Sequence, residues 1–127
     1  MALELEELSG QVIGSAIEVH RTLGPGFVES IYEEALAVEL GHRKIPFERQ
    51  FTVGLVYRDV EVGRHRLDLF VANQIVVELK AIKELNPAHF AMVRSYLRAV
   101  DRQHGLLLNF AKATLEIKRV LARPSPD

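Results

Sequence analysis

Three charged residues sit inside two apolar segments of this chain. Arg66-Leu67-Asp68-Leu69-Phe70-Val71 is followed by Ile75-Val76-Val77-Glu78-Leu79-Lys80-Ala81. Charge in such surroundings is costly unless it is paired or binds a metal. Both segments read as strands, in which side chains alternate between faces. Leu67, Leu69 and Val71 then share one face, as do Ile75, Val77, Leu79 and Ala81. If those apolar faces coincide, Asp68 lies opposite Glu78 and Arg66 opposite Lys80. That register needs an odd-length loop around Ala72-Asn73-Gln74, or a bulge. A two-residue turn would set Asp68 against Leu79 and separate the carboxylates. The apolar pattern therefore expects Asp68, Glu78 and Lys80 to converge.

Two carboxylates suit Mg²⁺ or Mn²⁺, hard ions that take oxygen ligands and keep several waters. Such an ion binds a phosphate oxygen and lowers the pKa of a bound water. Lys80 could position that water or offset charge on phosphorus. The Leu79 carbonyl is a further candidate ligand. Glu29 could add a carboxylate from a helix whose face holds Glu29, Tyr32, Glu33, Leu36 and Leu40. An Asp followed by Glu-x-Lys is common by chance, and a cross-strand ion pair is the plain alternative. Placement in apolar strands with matched parity favours chemistry.

The elements that must hold these residues follow from periodicity. Residues 4–22 read as an amphipathic helix, with Leu5, Leu8, Val12, Ala16, Val19 and Leu23 at three- and four-residue steps. Gly24-Pro25-Gly26 stops it. A second helix is expected from about Phe27 to His42. The period then becomes two: strands are expected over Phe51–Tyr57, from Val60 to Val71, and over Ile75–Ala81. Pro87, with Asn86 as a cap, opens a third helix to about Val100. Leu106-Leu107-Leu108 reads as a strand buried on both faces. Thr114–Leu121 is either a strand or a helix, and residues 123–127 read as a loose tail. This order predicts an α/β sandwich around a mixed sheet.

The 127 residues amount to one domain. Apolar content of 48% supports a real core. No apolar run is long enough for a membrane span. The acidic start, Met1-Ala2-Leu3-Glu4, is unlike a signal peptide. There is no cysteine, which excludes disulfides and thiolate chemistry and suits a cytoplasmic location. Charge is uneven: residues 1–40 carry a net −7 and residues 41–127 a net +6. A polyanion-facing surface on the second part is one reading, and a basic face packed near an acidic helix is the other.

Other candidates have plainer readings beside them. His89 opens a helix next to the expected site, whereas His20 reads as a helix-face or core residue. Arg94, Arg98 and Arg102 form a basic stripe that could track phosphates or could simply be solvated. Tyr32 and Tyr96 could stack on a base, or pack with an outward hydroxyl. Asn109 could serve the site or a turn.

The segment Leu23-Gly24-Pro25-Gly26-Phe27-Val28-Glu29-Ser30-Ile31-Tyr32 resembles the signature of the GxxExxY family, with Gly26, Glu29 and Tyr32 at its named positions. The likeness continues through Arg66-Leu67-Asp68, Val76–Ala81, Leu85–Leu97 and Gly105–Phe110, roughly residues 8–121. That family is grouped with the PD-(D/E)XK nuclease superfamily. The resemblance implies a restriction-endonuclease-like fold and Mg²⁺- or Mn²⁺-dependent hydrolysis of nucleic acid, DNA or RNA. By it Asp68, Glu78 and Lys80 take the motif positions and Glu29 the first-helix acid, while Tyr32, His89, Arg94 and Tyr96 are, from the residue readings above, the candidate substrate contacts. One departure stands out: Met92 occupies the place of an expected Gln on the third helix. Met cannot donate the same hydrogen bonds. A nuclease-fold binding or assembly module that cleaves weakly or not at all is therefore the rival expectation. Many nucleases of this fold pair up to cut two strands, so a homodimer is also expected.

Overall fold

The spacing of Leu8, Val12, Ala16 and Val19 becomes helix α1, Leu5–Leu23, in a computed structural model that describes residues 4–123. All four side chains are buried. Glu6 and Glu7 in the first turn and His20 and Arg21 in the last complement the helix dipole. Gly24, at φ 73°, ends the helix in a conformation that costs glycine little. Helix α2 spans Glu29–His42 and buries Tyr32, Glu33, Leu36, Ala37 and Leu40. Phe27 and Val28 precede it, so it starts two residues later than the sequence indicates.

Five strands follow: β1 Phe47–Tyr57, β2 Val60–Val71, β3 Ile75–Lys80, β4 His104–Asn109 and β5 Glu116–Leu121. Helix α3, Pro87–Val100, joins β3 to β4. β1 begins four residues earlier than Phe51, and the undecided last element is a strand. Of the expected tail, residues 124–127 lie outside the described residues.

The sheet order is β1-β2-β3-β4-β5. Among the described residues only β3 and β4 run parallel, as their helical crossover requires. Helices α1 and α2 cover one face, packing on Leu69, Val77, Leu79, Leu106 and Leu108. Helix α3 covers the other, through Val93, Tyr96 and Leu97 on Val76, Leu107 and Val120. Burial on both faces explains the unbroken apolar runs of β3 and β4. Each fully buried leucine contributes about 2 kcal/mol to holding these layers. A Cβ at Gly105 would lie 2.9 Å from Val93 Cγ1, so this glycine lets α3 sit directly on β4. The result is a mixed sheet flanked by helices, the restriction-endonuclease-like α/β arrangement that the sequence implies. Among the described residues no helix is long and apolar enough to cross a membrane.

Strict alternation fails at two places in the β1–β2 ladder: a bulge shifts the register between Leu55 and Val56, and nearer the base both strands change sides. Phe47, Leu69 and Val71 pack with the α1 and α2 side, whereas Phe51, Val53 and Leu67 pack with α3. All six are odd-numbered, so both strands change sides together. The register does not slip there, because Arg49 pairs with Leu69 and Phe51 with Leu67. The change falls at the position between, which the ladder leaves unpaired, and there Gln50 has φ 51°. A left-handed residue inside a strand re-aims the side chains beyond it. Leu67 therefore does not share a face with Leu69 and Val71, contrary to the simple alternation expected above.

Candidate active site

The β2–β3 connection is the odd-length loop Ala72-Asn73-Gln74. Ala72 and Asn73 are left-handed, and the Gln74 N–H bonds the Val71 carbonyl at 2.9 Å. It fixes Val71 against Ile75, Phe70 against Val76 and Leu69 against Val77. One step further, Asp68 comes opposite Glu78, the register the apolar pattern expects. The pairing ends there and side chains take over. Glu78 Oε1 accepts from the Asp68 N–H at 3.1 Å. Asp68 Oδ2 accepts from the Leu79 N–H at 2.9 Å. Each carboxylate is thus tied to the other's strand. Asp68 Oδ1 and Glu78 Oε2 have no protein partner among the described residues. No buried polar side-chain atom described is left unpaired, so neither oxygen is wholly sealed from solvent.

Burial first, and then the Asp68 charge, pushes the Glu78 carboxyl up to about 8; the Asp68 N–H and Lys80 oppose this. Asp68 is raised as well, by burial and then by Glu33, against the Leu79 N–H and Lys80. Glu29, in the first turn of α2, is raised by burial, with Asp68 and Glu33 acting in the same direction and Lys80 against them. Asp68, Glu78, Lys80 and Glu29 are therefore close enough to feel one another's charge. Lys80 makes no ion pair within 4.0 Å among the described residues. Acids outnumber bases around it.

Tyr96 reaches the same place from α3. It is buried, its hydroxyl is hydrogen-bonded to His65 Nε2, and burial followed by the charges of Glu78 and Asp68 raises its pKa. His65 is a neighbour the sequence reading missed. So are Glu33, Arg49 and Gln50. Buried Glu33 accepts from Arg49 at 3.1 Å and from Gln50 Nε2 at 2.9 Å. Glu33 was visible on the helix face with Glu29. Arg49 and Gln50 look like ordinary exposed strand residues, and no local signal marks them.

Other expected residues do different work. Tyr32 is fully buried and stacks on Phe110 with ring centroids 4.6 Å apart. Its hydroxyl donates to the Gly24 carbonyl at 2.6 Å and accepts from the Phe27 N–H at 3.2 Å. It clamps the turn before α2 instead of facing substrate. His89 Nδ1 accepts from the Asn86 N–H at 3.0 Å, completing a capping box at the start of α3. Arg94 is partly exposed on α3. The basic stripe is broken, because Arg102 turns away to the Asn73 carbonyl at 2.8 Å. Met92 is exposed.

Do these residues fit a divalent ion? Among the described residues no three of His, Asp and Glu stand together in a metal-holding group. Side chains alone therefore form no cage. Mg²⁺ does not need one: it is commonly held by one or two carboxylates, waters and substrate phosphate. Asp68 Oδ1 and Glu78 Oε2 are open, and an excess of acids over Lys80 favours a cation. In an extended strand the N–H and C=O of one residue face the same side. The Leu79 carbonyl therefore faces β2, as its N–H does. The donor set fits a hexacoordinate, mostly hydrated ion.

A family model described as the PD-(D/E)XK nuclease superfamily matches residues 6–120. No curated protein and no solved structure matches the chain significantly.

Proposed function

This chain belongs to the PD-(D/E)XK nuclease superfamily, and we propose that within it the protein is a divalent-metal-dependent phosphodiesterase acting on nucleic acid, of the GxxExxY type. Nucleases of this superfamily generally use divalent metals. The observation that carries the reading is the reciprocal tie between Asp68 and Glu78, which fixes both carboxylates and leaves one oxygen of each open.

Asp68, Glu78 and the Leu79 carbonyl would hold Mg²⁺ or Mn²⁺. When bound, the ion supplies Lewis-acid polarisation of a phosphate oxygen and a more acidic water. Lys80 places a positive charge where negative charge grows on phosphorus and orients the attacking water. Glu29 accepts a hydrogen bond from that water. The Tyr96 hydroxyl closes the α3 side of the site, and Arg94 and His89 lie on the helix along which a phosphate chain would pass.

A second reading, a nuclease-fold module that binds or assembles without cutting, draws on Met92. Cleavage of labelled single-stranded, duplex and branched DNA and RNA with Mn²⁺ separates the two. Cleavage that Lys80→Ala lowers by about a hundred-fold or more supports the enzyme. Bound Mn²⁺ raising the thermal midpoint with no cleavage supports the binding module.

A further inference from the structure

Seven non-glycine residues among those described have positive φ. Six of them, Lys44, Arg58, Asp59, Ala72, Asn73 and Asp101, lie in turns or at a helix cap. Gln50, at φ 51°, stands inside strand β1. Glycine has no Cβ to clash in this conformation, and a short Asn or Asp can bond locally; Gln has neither advantage. Something outside the strand must hold it there, and helix α2 does. Gln50 Nε2 donates to Glu33 Oε1 at 2.9 Å. Glu33 is itself buried, and its other oxygen accepts from Arg49 Nη2 at 3.1 Å. Backbone outliers held in this way by their surroundings cluster at functional sites.

The pairs Arg49–Leu69 and Phe51–Leu67 flank Gln50 in unbroken register. The turn of β1 therefore passes to the β2 residue between them, Asp68. That residue sits where the side chains of β2 change sides, Leu67 toward α3 and Leu69 toward α1 and α2. In straight strands Asp68 would stand on one face of the sheet. Instead its Oδ2 accepts from the Leu79 N–H at 2.9 Å, a backbone donor of the next strand. The carboxylate thus reaches into the gap that opens where the β2–β3 ladder ends, past Leu69 and Val77. We propose that Gln50, held by Glu33, is the positioning residue that turns the Asp68 carboxylate into this gap beside Glu78. That the carboxylate so aimed serves a divalent ion rests on the phosphodiesterase reading above.

The test is amide hydrogen exchange followed by NMR on the metal-free full chain, with Mn²⁺ affinity measured by calorimetry beside it. The Asp68 and Leu79 amides end on carboxylate oxygens, so their protection reports how Asp68 is aimed. Gln50→Val puts a β-branched residue where positive φ strains it. Both amides should then exchange faster on the order of ten-fold, and Mn²⁺ should bind more weakly by a similar factor. The Val77 and Leu107 amides should keep their rates. Gln50→Gly takes up the conformation freely and should keep both protection and Mn²⁺ affinity. If the valine chain does not fold, Gln50→Ala, which loses the Glu33 bond, is compared with the glycine chain in its place. Unchanged protection in the valine or alanine variant, or equal loosening by glycine, would overturn the proposal. So would a loss of protection spread evenly over the sheet, which would make Gln50 merely structural. Gln50-dependent protection in a chain that binds no Mn²⁺ leaves the positioning standing and removes the metal-dependent enzyme. Mn²⁺ binding in a chain whose two amides ignore Gln50 does the reverse.

Discussion

The two sides of the β3 terminus handle buried polarity in opposite ways. Toward β4, Lys80 pairs with Asn109, which is fully buried and uses its whole hydrogen-bonding capacity. Asn109 Oδ1 accepts from the N–H groups of Ile82 and Ala111 at 3.1 and 3.2 Å. Its Nδ2 donates to the Ile82 carbonyl at 2.8 Å and to Glu116 at 3.2 Å. Toward β2, Glu78 is nearly as buried, yet it has one backbone partner and a like charge beside it. Both residues tie a loop or strand to the end of β3. The amide is saturated and neutral, as polarity kept for structure should be. The carboxylates are left open, and only a cation or protons can balance them.

Breaking the saturated side should cost the most. Asn109→Ala strands the Ile82 and Ala111 backbone groups, and unfolding should show a loss of about 3 kcal/mol. Stabilisation by Mn²⁺ should survive in that variant. If it vanished, the two sides of β3 would be one cooperative unit instead of two.

The open side should behave inversely. The folded pKa of Glu78, about 8, lies above its ordinary 4.5. A carboxyl whose pKa is raised by folding contributes stability below the ordinary range and loses it as pH climbs through the folded value. The metal-free protein should therefore weaken from about pH 5 to pH 9. Glu78→Gln should remove most of that decline while abolishing the Mn²⁺ response. Mn²⁺ must displace the same proton, so its affinity should rise up to about ten-fold per pH unit below pH 8. Titration calorimetry across that range checks both statements; a flat affinity would mean that Glu78 is not a ligand.

The smallest effect should come from Tyr32→Phe. It removes the bonds to Gly24 and Phe27 but keeps the stacking on Phe110, so about 1 kcal/mol of stability is lost. Metal binding and any cleavage should be unchanged. A large loss of activity would return Tyr32 to the site.

Much of this was legible beforehand, because it depends on local periodicity. Apolar alternation in Leu69–Val71 and Ile75–Val77, with a three-residue loop between, is enough to bring Asp68 opposite Glu78. The all-apolar Leu106-Leu107-Leu108 announced a strand with a layer on each face, and Pro87 after Asn86 announced a capped helix. The last strand was ambiguous because Glu116–Leu121 lies at the sheet edge with only Val120 fully buried, so its pattern has no clean period.

Tertiary structure decided the rest. The concerted change of side at Gln50 and Asp68 depends on a left-handed residue whose type gives no sign of it. Whether Tyr32 meets Phe110 or a substrate is set by how α2 lies on the sheet, and Phe110 is 78 residues away in sequence. His89 and Tyr96 read alike in sequence as polar groups on α3. One caps the helix and the other bonds His65 within reach of the carboxylates' charge. The sequence determined which charged groups meet across neighbouring strands, since a two-residue period propagates locally. It could not determine which groups meet across layers, because that depends on how whole elements pack against one another.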